Sequence, residues 1–350
     1  MNGPGIPATS RRRQASRPGV LLGSRLLVLT VIMALAACAQ STEGARGPAL
    51  TDGPTNTEGA TTLRTPVPVV AGRPNQFEHQ QRTFVDRVRK TPAGHPSGGS
   101  TPPAEKPSRT LVTEIYYPVS PGPRPLIMFS HGLGGHPSKF TKLFSVWAAA
   151  GYVVVAPAFP LTNSDVPGWL ADGFDLWDQP RDISFVLDQV LAASTTPGDP
   201  LEGRVDPARL GAAGLSLGGA TTFALGFNPC CRDDRFRAVE ILSGAMLPMP
   251  DAYTFEVSVP VLIIHGDKDA SLPYSGAVQA FGLAKPPKYL VTLIGGTHAP
   301  PYEDEPSPHD ELVERATVDF WDAYLAGETD RLAELERDAA VDGLSGIQAG

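Results

Sequence analysis

A serine at residue 216 lies inside Gly214-Leu215-Ser216-Leu217-Gly218, a Gly-x-Ser-x-Gly pattern, and no other residue of the chain is so well framed to act as a nucleophile. A largely apolar run, residues 209–215, precedes it, and Ala220-Thr221-Thr222-Phe223-Ala224-Leu225 follows, so the serine falls at a strand-to-helix corner. Such a corner forces the serine backbone into a strained conformation and lifts its hydroxyl clear of the sheet. Side chains on the flanking positions would collide there, which is why glycines occupy them. The N–H of Leu217 opens the helix, where an oxyanion can be bound. A serine alone is a weak nucleophile, so the remaining chain must supply a base, an acid to orient it and a second oxyanion donor.

The elements that must hold these groups are legible as alternating strands and helices. Residues 76–86 fit a first edge strand, followed by a loop rich in Pro, Gly and Ser over residues 91–108. Residues 110–117 read as a strand stopped by Pro118. Residues 126–130 are wholly apolar apart from Ser130, as expected of a strand covered on both faces. The strand ends in His131-Gly132-Leu133-Gly134-Gly135. Residues 139–150 fit a helix closed by Gly151, residues 152–156 a buried strand, and residues 181–193 a helix with Ile183, Val186, Leu187 and Val190 on one face. After the Ser216 strand come strands over residues 237–242, 259–264 and 288–294, and a helix over residues 310–325. Strands alternating with helices predict an α/β fold with a mostly parallel sheet and helices on both faces. Residues 331–340 look like a modest amphipathic helix in a C-terminal tail, residues 331–350, set beyond a catalytic domain of residues 77–330.

The front of the chain reads as an address. The first 37 residues hold five arginines (Arg11, Arg12, Arg13, Arg17, Arg25) and no acid, followed by an uncharged, largely apolar run over residues 26–37. Twelve such residues are too few to span a bilayer, and the flanks are those of an export signal. The run ends in Leu35-Ala36-Ala37-Cys38, which resembles a bacterial lipobox; this implies cleavage before Cys38, lipidation of that cysteine, and a protein held on the outer face of a membrane or secreted. Residues 38–76, rich in Thr, Gly, Pro and Ala, are expected to be a flexible tether. The net charge is −8 for the whole chain and −13 once the five leader arginines are set aside. An acidic surface without a basic patch argues against nucleic acid as a partner.

Four stretches together resemble the α/β-hydrolase family: His131-Gly132-Leu133-Gly134-Gly135, Gly214-Leu215-Ser216-Leu217-Gly218-Gly219, His265-Gly266-Asp267-Lys268-Asp269 and Gly295-Gly296-Thr297-His298. The likeness covers roughly residues 77–330 and is nearest to the dienelactone-hydrolase-like and platelet-activating-factor-acetylhydrolase-like secreted esterases, with bacterial cutinases close by. It implies the α/β-hydrolase fold, a chain order of Ser, then Asp or Glu, then His, and hydrolysis of a short- to medium-chain carboxylic ester without a cofactor. Of seven histidines, two, His298 and His309, follow the last strand and lie downstream of candidate acids; His298, directly after that strand behind Gly295-Gly296-Thr297, is expected as the base. His79 and His95 precede the core, His309 sits among acids and prolines, and all three are expected at the surface. Asp267 and Asp269 both follow residue 264; the resemblance selects Asp269, four residues before Pro273, and leaves Asp267 as a turn residue. By the same resemblance the second oxyanion donor is the N–H of Leu133, paired with that of Leu217.

Other features carry less. Phe174, Trp177 and Trp169, among Gly, Pro and Asp in residues 159–180, suit a lid or apolar wall over an acyl pocket and equally a surface loop whose aromatics pack down on the core. Asp172, Asp175 and Asp178 lack clear ligand spacing, so no metal is expected. Cys230 and Cys231 are expected as two partly buried thiols, with a vicinal disulfide the alternative in an oxidising compartment. An acyltransferase and a catalytically silent surface binding protein are the competing readings of the same scaffold.

Overall fold

The computed structural model describes residues 75–95, 101–166 and 171–350. The leader, Cys38, nearly all of the expected tether and Trp169 lie outside the described residues. Nine strands form one sheet: β1 (Phe77–Asp86), β2 (Arg109–Pro118), β3 (Arg124–Ser130), β4 (Val153–Ala158), β5 (Val205–Leu215), β6 (Phe236–Leu242), β7 (Val261–Gly266), β8 (Lys288–Leu293) and β9 (Ser345–Ala349). Their spatial order is β1-β2-β4-β3-β5-β6-β7-β8-β9. The run from β4 to β8 is parallel, while β1, β2 and β9 pair antiparallel at the two margins.

Alternation along each central strand feeds two apolar layers. Ile127 and Phe129 point to one face with Val154, Leu242 and Ile264; Leu126 and Met128 point to the other with Val155, Ile241 and Ile263. Both faces are dry because both are covered, as parallel strands require. The first face carries α1 (Thr141–Ala150) and, later in the chain, α5 (Asp310–Trp321) and α6 (Arg331–Asp338). The second carries α2 (Gln179–Ser194), α3 (Leu217–Phe227) and α4 (Tyr274–Leu283). The helix expected from residue 139 begins two residues earlier as a 3-10 turn, Pro137–Phe140, because the His136 ring accepts the Ser138 N–H and Pro137 suits a first helical position.

Several features differ from the sequence expectations. The helix α4 was not expected; its core face is made of the small Ala277 and Ala280, fully buried, with Tyr274 and Phe281 packed beside them only partly buried. The tail does not stand apart: Leu335 and Ala339 are fully buried and β9 pairs with β8, which carries the folded unit to residue 349. His309 is buried, not superficial, with its Nε2 3.1 Å from the Ile294 carbonyl. Cys230 and Cys231 are joined in a vicinal disulfide in place of the expected thiols. The turn after α3 gathers them, with the Cys230 N–H on Asn228 Oδ1 and the Cys231 N–H on the Asn228 carbonyl.

One core residue is out of keeping with its surroundings. Glu240 lies in the middle of β6, wholly buried, and neither carboxyl oxygen has a hydrogen-bond partner; the Trp321 indole is the polar group beside it. Burial holds this carboxyl well above the ordinary carboxylate range, and the indole offsets little of that. The native state therefore keeps a proton that the unfolded chain releases above about pH 4.5, so stability falls as pH rises until the native group itself ionises. Glu240→Gln removes the ionisable group at nearly constant shape. Its urea midpoint should gain on the wild type between about pH 5 and about pH 8, and parallel curves over that range would contradict the assignment.

Candidate active site

The functional side chains converge at the C-terminal ends of β5, β7 and β8. Ser216 stands between β5 and α3 with φ 58° and ψ −115°, a left-handed conformation that a non-glycine residue adopts only when its surroundings impose it. The surroundings do so. The Ser216 N–H donates to the Leu242 carbonyl at 2.9 Å, and the Ser216 carbonyl accepts the Ala220 N–H at 3.0 Å. A Cβ on Gly218 would collide with the Ser130 carbonyl, and one on Gly214 with the Gly218 carbonyl. The two glycines of the motif are thus demanded by backbone packing, independent of any chemistry.

His298 reaches the serine from a loop after β8 and Asp269 from a loop after β7. The His298 Nε2 lies 2.7 Å from Ser216 Oγ, and its Nδ1 lies 2.6 Å from Asp269 Oδ2. A carboxylate only accepts, so Nδ1 carries the proton and Nε2 is left with a lone pair facing the serine hydroxyl. The His298 loop is held to β7 from both sides. Gly295 N–H donates to Asp267 Oδ1, which gives Asp267 the turn role expected for it, and Lys268 N–H donates to the Gly296 carbonyl. Beyond His298, the buried Tyr302 hydroxyl donates to the Ile264 carbonyl and accepts from Ser243 Oγ, each at 3.0 Å.

Asp269 is the most heavily engaged carboxylate of the site. Its side chain is fully buried; Oδ1 accepts the N–H groups of Ser271 and Leu272, while Oδ2 faces both His298 and, at 3.1 Å, His265. Burial pushes its carboxyl up, but the hydrogen bonds from His265 and His298 outweigh that and hold it well below the ordinary carboxylate range. Sequence reasoning placed Asp269 and missed His265. The available signal was the spacing, since His265-Gly266-Asp267-Lys268-Asp269 sets a histidine four residues before the acid across a tight turn.

The loop after β3 supplies a second feature. The His131 ring is fully buried; its Nδ1–H donates to the Gly132 carbonyl at 2.7 Å, and its Nε2 accepts the Phe159 N–H at 3.0 Å. Burial lowers this imidazole to about 4, so it is neutral at physiological pH. The Gly132 carbonyl also accepts the Gly135 N–H. A trans peptide points its N–H opposite its carbonyl, so these bonds direct the Leu133 N–H to the other side of that unit. Gly132 packs directly on the serine: a Cβ there would lie 3.2 Å from Ser216 Cβ. The Leu217 N–H is the first of its helix and has no intrahelical partner.

Beside the serine lies a small apolar cluster separate from the two main layers: Leu176, Leu217, Ala220 and Leu247 are buried, with Leu133, Ala245 and Met249 packed on it and partly open. The 3-10 turn Gly173–Trp177 contributes Leu176, and its Trp177 indole N–H donates to the Pro248 carbonyl. The three aspartates of this stretch are paired: Asp172 with the His95 ring, and Asp175 and Asp178 with the Arg109 guanidinium. His95 and His79 are largely exposed yet paired, His79 with Glu114 at 2.5 Å.

Sheet order, the strained serine at the β5–α3 corner and the histidine beyond β8 are those of an α/β-hydrolase fold, and the likenesses to known proteins support an esterase family of that fold. Residues 97–240 match the family model described as Chlorophyllase, a span that takes in His131, Leu133 and Ser216 but ends before Asp269 and His298. The chain is 32% identical over 170 residues to the "Putative esterase NocK" of Nocardia uniformis subsp. tsuyamanensis, covering 47% of this chain and 45% of that protein. It is 28% identical over 134 residues to the "Uncharacterized protein YfhR" of Escherichia coli strain K12, covering 33% of this chain and 46% of that protein. The chain thus spans about half the length of the curated relatives it matches.

Proposed function

We propose that this protein is a serine carboxylic-ester hydrolase working through Ser216, His298 and Asp269. The observation that carries the reading is the unbroken hydrogen-bonded chain from Ser216 Oγ through the His298 ring to Asp269. In the proposed reaction His298 Nε2 takes the serine proton as Oγ attacks the ester carbonyl. Negative charge develops on the carbonyl oxygen, where the amides of Leu133 and Leu217 receive it. The intermediate collapses as the imidazolium gives its proton to the departing alcohol, leaving an acyl group on Ser216. Water, deprotonated by the same ring, then attacks the acyl-enzyme, and the carboxylic acid leaves as Ser216 recovers its proton. Asp269 remains ionised throughout, which its depressed pKa supports.

The apolar cluster around Leu133, Leu176, Leu247 and Met249 supports an uncharged acyl or alkyl group of short to medium length as the substrate portion held beside the serine. The esterase reading is tested by release of p-nitrophenol from esters of graded acyl length, run with and without an added alcohol acceptor. Free acid as the main product supports hydrolysis. A product in which the acyl group sits on the acceptor supports transfer, and absence of turnover across the series overturns both.

The location proposed is the outer face of a cell membrane, with Cys38 as the lipid-bearing residue. The support is the sequence of residues 26–38 alone. Incorporation of an alkyne-tagged fatty acid in cells, lost in Cys38→Ala, is the expected outcome; equal labelling of the variant would refute it.

A further inference from the structure

The acid of this site answers to two histidines, and only one of them reaches the serine. His265, near the end of β7, is wholly buried. Its Nε2 lies 3.1 Å from Asp269 Oδ2 and 2.9 Å from the Leu272 carbonyl. Both neighbours only accept, so Nε2 must carry the proton and share it between them. Its Nδ1 is buried with no hydrogen-bond partner. The titratable groups facing the ring are Asp269 itself and Tyr274 of α4, whose ring meets it edge-on at 6.1 Å and whose hydroxyl is engaged with Thr292 of β8. Across the carboxylate stands His298.

Four donors thus converge on one carboxylate. Two backbone N–H groups hold Oδ1, the His298 ring N–H holds Oδ2, and the His265 Nε2 stands 3.1 Å from that same oxygen. Without His265 the carboxylate keeps its backbone contacts but loses the donor that stops Oδ2 from swinging out of line with His298. It also loses a group that shares the charge on Oδ2. We infer that His265 is a positioning residue of this site, its shared Nε2–H fixing the plane of the Asp269 carboxylate and dividing the charge offered to His298. The inference rests on the serine-hydrolase reading above, because its catalytic consequence passes through His298.

Two opposed consequences follow for a variant without the donor. The carboxylate is less well aligned, so the plateau rate falls. The charge on Oδ2 is less shared, so the His298 imidazolium is better stabilised and the base is lost at a higher pH. His265→Leu should lower kcat at the plateau by roughly 5- to 50-fold with little change in KM, and move the acid limb of the kcat/KM profile upward by roughly 0.5–1 pH unit. His265→Gln, whose amide N–H2 replaces the donor at similar reach, should return the limb toward its original position. A Leu variant that is less stable but keeps both plateau and limb would show a packing role only and overturn the inference.

The wild-type protein gives a test that needs no variant to fold. Nitrogen-15 NMR of its histidines should show residue 265 protonated at Nε2 and bare at Nδ1. An Nδ1–H form there would overturn the inference as surely. Failure of the enzyme reading looks different: folded wild-type protein then hydrolyses no ester, while the tautomer measurement still decides on the bond between His265 and Asp269.

Discussion

Ser216→Ala is expected to lower kcat/KM on a p-nitrophenyl ester by roughly 10⁴- to 10⁶-fold, because in the proposed mechanism it removes the oxygen that forms the acyl-enzyme. His298→Ala should cost about as much, since without the ring the serine proton has no acceptor at 2.7 Å. The double variant should be no slower than either single one; groups that act as a unit are lost as a unit. Asp269→Asn is the sharper variant. It keeps the shape but turns an acceptor facing His298 Nδ1 into a donor, forces the other tautomer and presents an N–H to Ser216, for a loss of roughly 10⁴-fold. Steady-state kinetics on the four proteins checks all of this. A Ser216→Ala protein with wild-type turnover, or two losses that multiply in the double variant, would contradict the arrangement.

The second large effect concerns stability. Arg109, at the start of β2, is completely buried, and its guanidinium holds Asp182 through Nε at 2.8 Å and Nη2 at 2.5 Å, and Asp175 through Nη2 at 2.9 Å. Arg89 reaches Asp182 from the other side at 2.7 Å and also holds Asp86. The cluster joins β1, β2, α2 and the turn that carries Leu176 and Trp177 beside the serine. Arg109→Leu leaves two carboxylates in a dry interior with one cation too few. The expected loss is about 3–5 kcal/mol, far more than an exposed pair contributes. Burial already drives the Asp175 carboxyl up to about 7 against the pull of Arg109, and the variant removes that pull. A raised carboxyl keeps its proton in the native state, so its stabilising contribution is present at low pH and is lost as pH climbs through the native value. The deficit of Arg109→Leu should therefore be larger at about pH 8 than at about pH 5 in urea titrations. A variant as stable as the wild type at both values would show that the cluster does not anchor this wall.

How much of this was legible beforehand depended on whether the constraint was local. The Ser216 corner was, because the clash of a side chain at Gly214 or Gly218 and the forced backbone at Ser216 are properties of a few consecutive residues. The central strands were, because Leu126, Met128 and their equivalents must be apolar on both faces. Asp269 and His298 were reached through the chain order of a family that the motifs resemble, and not from any pattern of their own. What escaped was created by distance. β9 is a strand only because β8 is there to pair with it, and Ser345-Gly346-Ile347-Gln348-Ala349 has no strand-like alternation. His309 is buried by a carbonyl fifteen residues away. Arg109 and its aspartates are separated by more than sixty residues, so a cluster that reads as scattered surface charge closes into an interior network. The density of Asp172, Asp175 and Asp178 is plain in the sequence, but their partners, His95 for the first and Arg109 for the other two, lie far away along the chain.

The claim on which the rest depends is that one serine hydroxyl of this protein is activated by an imidazole. A fluorophosphonate reacts with such a hydroxyl and not with an ordinary one, so the most direct measurement is the mass of the intact folded protein after exposure, followed by peptide mapping. The account predicts one adduct per chain, carried by Ser216 and absent from both Ser216→Ala and His298→Ala. Folded protein that takes up no probe, or takes it up at another residue with Ser216 left free, would contradict it.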